Sequence, residues 1–214
     1  MQSIALIDYG SGNLRSAEKA LLKVSAALPG ERRVVVTADP EIISGADAIV
    51  LPGVGAFAAC MAAVESLPGL EPALEAAVRA RGVPYLGICV GMQLMATRGL
   101  EFGATPGFDW IDGEVRRIEP HGRAFKVPHM GWNGLLEMAE HPLFAGLGED
   151  VPVYFTHSFA FFPARSEDVI AVVDHGGRFP AAVARDNMAG VQFHPEKSQA
   201  AGLRLLSNFL EWRP

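Results

Sequence analysis

The sequence has few cysteines and no long hydrophobic run, and both shortages limit what the chain can be. Only two cysteines, Cys60 and Cys89, occur among 214 residues, which argues against a disulfide-stapled secreted scaffold. No segment approaches the roughly 20 apolar residues that a membrane-spanning helix needs. The N-terminus reaches an acidic residue at Asp8 without a basic region, unlike a signal peptide. We therefore expect a cytoplasmic protein with free thiols and no membrane partner.

Basic residues are also scarce, which bears on possible partners. Lysine and arginine total 18 against 24 acidic residues, a formal net charge of −6. The densest basic groups, Arg32-Arg33 and Arg116-Arg117, are too small to follow a phosphate backbone, so nucleic acid is not an expected partner. We predict neither a metal site nor a cofactor.

Apolar, β-branched runs alternate with helical patterns, which predicts an α/β fold whose mostly parallel open sheet is flanked by helices. In the second half strand follows strand, with His175-Gly176-Gly177 as a hairpin turn, so antiparallel strands are expected to be added to that sheet. We treat residues 1–214 as a single domain. The predicted strands are Ile4–Ile7, Arg33–Val36, Ala48–Leu51, Tyr85–Ile88, Glu114–Ile118, Val153–Phe155, Val169–Val173, Ala181–Arg185 and Gly190–Phe193. The first predicted helix begins at Asn13. The other predicted helices are Ala56–Ser66, Leu70–Arg81, Gly91–Thr97 and Ala200–Trp212.

The pattern Gly87-Ile88-Cys89-Val90-Gly91 lies where an apolar strand runs into a helical pattern. It is the thiol counterpart of the strand–turn–helix elbow of Gly-x-Ser-x-Gly hydrolases. A helix N-terminus aimed at the sulfur would favour thiolate and could hold an oxyanion. The alternative for Cys89 is a structural cysteine buried between packing glycines. Cys60, in a helical run of small residues, is interpreted as a buried, inert thiol.

A base and an orienting carboxylate follow 105 residues later in His194-Pro195-Glu196. Residues two apart in extended chain point the same way, so Glu196 could fix the His194 tautomer while the other ring nitrogen takes the thiol proton. Pro195 is expected to keep this segment extended. A single histidine at a strand end is more often a surface or core residue, and the combination with Cys89 is what favours catalysis.

Two loops are ambiguous from their residues alone. Gly53-Val54-Gly55 follows a strand at the sheet edge where open α/β sheets bind ligands, yet it could be a plain strand-to-helix connection. Residues 126–134 form a loop rich in proline and glycine, in which Met130 and Trp132 are interpreted as core residues unless they are exposed interface anchors.

Together, Gly87 to Gln93 and His194-Pro195-Glu196 resemble the class I, triad-type glutamine amidotransferases, which have a flavodoxin-like fold. Further segments resemble the glutaminase subunits of imidazole glycerol phosphate synthases over essentially the whole chain. They are Asp8-Tyr9-Gly10-Ser11-Gly12-Asn13-Leu14, Pro52-Gly53-Val54-Gly55-Ala56-Phe57, Pro128-His129-Met130-Gly131-Trp132-Asn133 and Tyr154-Phe155-Thr156-His157-Ser158-Phe159.

The resemblance implies that glutamine is hydrolysed to glutamate and ammonia. The ammonia would pass to a (β/α)₈-barrel synthase subunit, in a heterodimer that makes imidazole glycerol phosphate and aminoimidazole carboxamide ribotide in histidine biosynthesis. It further implies roles for particular residues. Those roles are nucleophile, base and orienter for Cys89, His194 and Glu196; oxyanion binding for Gly53, Val54, Gly55 and Val90; glutamine binding for Gln93, His157, Ser158 and Phe159; and the partner interface for Pro128, His129, Met130, Trp132 and Asn133.

The chain departs from the family pattern at three positions. Val90 stands where leucine is commonest, and Phe159 replaces a usual tyrosine, so any contact through that hydroxyl is lost. Thr156 is a milder change. Alternatives remain: the glutaminase of an anthranilate or aminodeoxychorismate synthase, a γ-glutamyl hydrolase, a catalytically silent module of this fold, or a thiol-based stress protein.

Overall fold

A computed structural model describes residues 1–122 and 124–214 and contains three β-sheets. The largest has seven strands, in the order β11-β12-β13-β4-β3-β1-β2. A second sheet has the order β10-β7-β5-β6, and β8 and β9 form a separate two-stranded ribbon. The strands are β1 Gln2–Ile7, β2 Arg32–Thr37, β3 Ala48–Gly53, β4 Tyr85–Cys89, β5 Ala96–Gly99, β6 Thr105–Pro106, β7 Ile111–Arg117, β8 His129–Gly134, β9 Pro152–His157, β10 Phe159–Pro163, β11 Val169–Asp174, β12 Arg178–Arg185 and β13 Met188–Val191.

The centre of the seven-stranded sheet is parallel and buried on both faces. Every residue of β3, β4 and β13 is buried, as expected of parallel strands covered by helices on both sides. From β2 to β13 neighbouring strands run parallel, and β12 and β11 continue the sheet antiparallel. The predicted fold class is confirmed, and so is the turn at His175–Gly177, where Gly176 has φ +68°.

The helices follow the predicted apolar periodicity. Ala17, Leu21 and Val24 form a buried stripe on the first helix. On the last helix Leu206 and Leu210 are buried, and Leu203 packs partly buried against the core. None of the helices in residues 1–122 and 124–214 is long and apolar enough to cross a bilayer. The helices are α1 Leu14–Ala27, α2 Pro40–Ser44, α3 Phe57–Glu65, α4 Leu70–Glu75 with a wider helical turn over Ala76–Ala80, α5 Val90–Gln93 and α6 Gln199–Glu211.

The predicted helix over Gly91–Thr97 is wrong beyond its first turn. The helix α5 ends at Gln93, and the chain then forms β5, which pairs with β6 and β7 in the second sheet. That pairing is a long-range interaction, which overrides local helical preference. It also means that the antiparallel strands of the second half do not all join the main sheet.

The loop predicted over residues 126–134 is wrong for most of its length. From His129 onward it is strand β8, paired antiparallel with β9 so that His129 lies opposite His157. Proline and glycine in the sequence suggested a loop, but a two-stranded ribbon tolerates both residues. Strands β5, β6 and β10 and the short helix α2 were also not predicted.

Candidate active site

Cys89 lies at the sharp turn between β4 and α5. Its backbone has φ +56° and ψ −113°, a conformation that residues with side chains rarely adopt. Such strain is characteristic of nucleophiles on an elbow, because the turn raises the side chain above the sheet edge. Val90 begins α5 directly after it, so the first amides of that helix, which have no intrahelical acceptor, follow the nucleophile in the chain.

The glycines of the motif are required by close packing. A Cβ on Gly91 would lie 1.8 Å from the Leu51 carbonyl oxygen of β3, and one on Gly87 would lie 2.5 Å from the Gly91 oxygen. Neither glycine has positive φ. The helix α5 therefore packs directly on the neighbouring strand, which places Cys89 beside the end of β3.

His194 and Glu196 form a buried pair. The His194 Nδ1 lies 2.9 Å from Glu196 Oε1, and their side chains are only 4% and 2% exposed. The backbone of His194 is anchored as well, because Tyr154 accepts from its N–H and Ser198 donates its hydroxyl to its carbonyl oxygen. The expected extended segment is wrong: Pro195–Lys197 is a short 3₁₀ turn, which proline at its first position favours.

The pKa of His194 follows from its two partners. Burial lowers that pKa, but hydrogen bonds and charge interactions with Cys89 and Glu196 outweigh burial and raise it to about 9. Since Nδ1 faces Glu196, the other ring nitrogen is the one available to Cys89. His194 is then an imidazolium at neutral pH, and a positive charge at that position can stabilise negative charge that develops on a neighbouring sulfur.

The sulfur opens onto a cavity of about 290 Å³, and most of the predicted site residues line it. The predicted site residues that are not among the lining are Gly53, His129, Met130, Trp132, Asn133 and Glu196. The lining residues are Val54, Gly55, Cys89, Val90, Gln93, Glu101, Pro128, Thr156, His157, Ser158, Phe159, His194 and Lys197.

Gln93 is held in the cavity wall by the backbone of Phe159. Its Nε2 donates to the Phe159 carbonyl oxygen at 3.0 Å and to Gln192 Oε1 at 2.9 Å. The ring of His157 lies 2.9 Å from the same carbonyl through Nδ1. Phe159 thus contributes to this wall through a backbone oxygen, which does not depend on the tyrosine hydroxyl that the chain lacks.

The segment Gly53–Gly55 packs closely against Tyr9 and Ser11. A Cβ on Gly53 would lie 2.6 Å from the Tyr9 hydroxyl, and Gly55 has φ +103°. Ser11 binds Val54 twice: its Oγ donates to the Val54 carbonyl oxygen at 2.6 Å and accepts from the Val54 N–H at 3.3 Å. In this conformation the Val54 N–H is therefore occupied by Ser11.

Strand β8 separates its residues between two faces. Met130 and Trp132 are 61% and 49% exposed, which excludes the core interpretation and leaves the alternative of exposed side chains. His129 is only 3% exposed, and its ring lies 3.0 Å from His157, so its expected place at a partner interface stays a prediction. Asn133 contacts His129 from the other side at 3.2 Å. Exposed side chains and a buried hydrogen-bonded chain thus alternate along β8, as the strand period requires.

Sequence reasoning gave no site role to five residues that contact the site, namely Ser11, Glu101, Thr156, Gln192 and Lys197. The role of Gln192 could have been predicted. Residues two apart in an extended chain point to the same side, so Gln192 would lie on the same side as His194. No sequence motif marks Glu101, which lines the cavity and accepts a hydrogen bond from the Phe57 N–H at the start of α3. In the described part of the chain, no group of three or more His, Cys, Asp or Glu residues is placed to hold a metal ion.

Comparisons with known proteins identify the family of the chain. The model of the family "Glutamine amidotransferase class-I" matches residues 5–212. The imidazole glycerol phosphate synthase subunit HisH of Caulobacter vibrioides is 58% identical over 214 residues, covering 100% of both chains. The HisH subunit of Ruegeria pomeroyi is 53% identical and covers 98% of this chain and 99% of its own.

The fold is also similar to that of solved structures. A crystal structure of a glutamine amidotransferase aligns with a TM-score of 0.70 and 21% identity, covering 97% of each chain. At this identity the likeness supports the fold alone, and the assignment to a family rests on the sequence relatives. The chain belongs to the class-I glutamine amidotransferases and, within them, to the HisH subunits of imidazole glycerol phosphate synthase.

Proposed function

We propose that Cys89, His194 and Glu196 hydrolyse glutamine to glutamate and ammonia. The observation that carries the proposal is the position of His194, which interacts with Cys89 and Glu196 at the wall of one cavity. A thiol, a base and an orienting carboxylate are the three groups that nucleophilic thiol catalysis needs. The two free cysteines fit a reducing cytoplasm, where we place the reaction.

The reaction follows from these contacts in two halves. The Cys89 sulfur attacks the side-chain carboxamide carbon of glutamine, and the carbonyl oxygen becomes an oxyanion that the Val90 N–H can bind. His194 donates its proton to the departing nitrogen, so ammonia leaves and a thioester remains. Water then attacks the thioester, His194 takes the proton of that water, and glutamate leaves as the sulfur regains its charge.

The second oxyanion donor in this proposal is the Val54 N–H. Ser11 occupies that N–H, so the Gly53–Gly55 segment has to rearrange before both donors can bind the oxyanion. We propose that this rearrangement accompanies binding of the partner and its substrate, so the isolated chain turns over glutamine slowly.

We further propose that the ammonia passes to a (β/α)₈-barrel synthase subunit, which uses it to make imidazole glycerol phosphate in histidine biosynthesis. The docking surface would be the outer face of β8, defined by the exposed side chains of Met130 and Trp132. Met130 pairs with Thr156, which lines the cavity, so this face adjoins the place where ammonia is formed. Docking there would keep ammonia from protonation and loss to water.

The test is the variant Cys89→Ala in complex with the synthase subunit. Glutamine-dependent synthesis should disappear, whereas ammonia-dependent synthesis should continue at the wild-type rate, because the partner's site is untouched. The ammonia reaction is the internal control for folding and assembly. Equal loss of both activities, or retained glutamine-dependent synthesis, would contradict the proposal.

A further inference from the structure

Gln192 lies against the nucleophile, and nothing in the two halves of the reaction above uses it. Its side chain follows strand β13, is completely buried, and places Nε2 3.6 Å from Cys89 Sγ. A buried carboxamide needs hydrogen-bond partners for both its oxygen and its nitrogen. The sulfur is the partner of the nitrogen.

The orientation of this carboxamide is fixed by neighbouring groups. The Phe159 carbonyl can only accept, so Gln93 must point its nitrogen toward it. The same nitrogen of Gln93 lies 2.9 Å from Gln192, which therefore must present its oxygen there. The Gln192 nitrogen is left facing the sulfur. A flipped Gln192 would set nitrogen against nitrogen at Gln93.

We infer that Gln192 is a catalytic residue of this centre, whose carboxamide N–H donates a hydrogen bond to Cys89 and stabilises negative charge on the sulfur. The inference rests on the proposed function and adds to it a second donor, beside the imidazolium of His194. The charge is present on the sulfur before attack and again when the thioester breaks, so the donor acts at both ends of the reaction. A carboxamide does not titrate, so this contribution persists at every pH.

Two substitutions separate this role from simple support of Gln93. Gln192→Glu keeps an oxygen that can accept from Gln93 but removes the donor to the sulfur and adds a negative charge. Gln192→Met removes both contacts at similar volume. The added charge of the glutamate variant would by itself disfavour a thiolate, so the neutral variant Gln192→Met decides between the two roles. If Gln192 served only to anchor Gln93, which the Phe159 carbonyl oxygen still holds, Gln192→Met would leave the reactivity of the sulfur unaffected.

The experiment measures alkylation of the full chain by iodoacetamide as a function of pH, without glutamine. Mass spectrometry follows the Cys89 and Cys60 peptides separately, so Cys60 reports any general loosening of the fold. In both variants, alkylation of Cys89 should be about tenfold slower at neutral pH, with its half-maximal pH at least about one unit higher, as loss of a hydrogen bond to a charged group implies. The Cys60 rate should stay unchanged.

A wild-type pH profile for Cys89 in Gln192→Met, or parallel changes at Cys60 and Cys89, would overturn the inference. The unmodified chain offers a second measurement that does not depend on folding of a variant: the side-chain amide resonances of Gln192 should shift as Cys89 loses its proton, and their constancy would contradict the donor role. Because no turnover is measured, either failure leaves the proposed function intact, which Cys89→Ala tests separately.

Discussion

At the scale of single residues, the centre depends on a histidine whose two neighbours outweigh its burial. Desolvation alone would leave His194 neutral, whereas Cys89 and Glu196 raise its pKa to about 9. This arrangement leaves one polar atom of Glu196 unsatisfied: its Oε2 is buried and has no hydrogen-bond partner in the described residues. A buried polar atom without a partner is costly, so a site that retains one is better explained by catalysis than by stability.

Replacing Glu196 by glutamine removes the negative charge and keeps an oxygen that can accept from His194. We expect the pKa of His194 to fall from about 9 toward its ordinary value. Glutaminase kcat/KM should fall by about 10²–10⁴-fold, as for the equivalent change in serine hydrolases. The pH–rate profile of the complex measures both effects.

The matched control is Glu167→Gln, at a carboxylate that is 64% exposed and pairs with Arg165. This control variant should leave kcat/KM and the pH–rate profile of the complex unchanged. A Glu196→Gln enzyme with wild-type kcat/KM would show that the carboxylate does not orient the base.

At the scale of elements, the elbow depends on how closely α5 approaches β3. The helix packs on that strand at a glycine, where a single added methyl would overlap the Leu51 carbonyl oxygen. Tyr85 supports the same turn from below, donating its hydroxyl to the Gly91 carbonyl oxygen at 2.9 Å. The position of Cys89 therefore comes from contact between elements as much as from its own backbone strain.

The substitution Gly91→Ala tests this contact. We expect a loss of at least about 3 kcal/mol in the free energy of unfolding, because the clash is with backbone that cannot move aside. Urea unfolding of the full chain measures it. Gly148→Ala is the control, since a Cβ there meets nothing within 4 Å, and its stability should stay within about 0.5 kcal/mol. Equal stability of the two variants would mean that α5 can withdraw from β3 at little cost.

At the scale of the whole molecule, buried histidines give stability a pH optimum. Burial and neighbouring histidines lower the pKa of His129 to about 3 and that of His157 to about 4, and burial also lowers that of His141. Their stabilising contribution is complete above the unfolded value of about 6.5 and is lost as pH falls toward the folded values. His194 has a raised pKa, so its contribution is complete below about pH 6.5 and is lost as pH rises through about 9.

The free energy of unfolding should therefore be greatest near pH 6.5 and decline on both sides. On the acid side each of His129 and His157 should cost about 1.4 kcal/mol per pH unit until its folded pKa is reached. Urea unfolding at several pH values measures the curve. His129 and His157 together cause part of the loss of unfolding free energy per pH unit on the acid side. In His129→Gln that part should be about half as large. An unchanged slope would mean that the buried histidine chain does not set the acid limit.

The parts of this protein that sequence alone determined are those that local physics decides. The buried runs of β1, β3 and β4 predict a parallel sheet because apolar strands of that kind need cover on both faces. The residues Gly87-x-Cys89-x-Gly91 and His194-Pro195-Glu196 predict their chemistry because few other roles need those groups in that order. The bounds of α3 and α6 follow from helical periodicity to within one residue.

Tertiary structure decided what depends on partners distant in the chain. Strand β5 replaced the predicted end of a helix because it pairs with β7, and β8 replaced a loop because it pairs with β9. The same holds for Gln192 and Ser11, whose significance comes from contacts with Cys89 and Val54 across 103 and 43 positions. Periodicity and motifs report on neighbours within a few residues. A hydrogen bond between remote segments exists only once the chain has folded and brought them together.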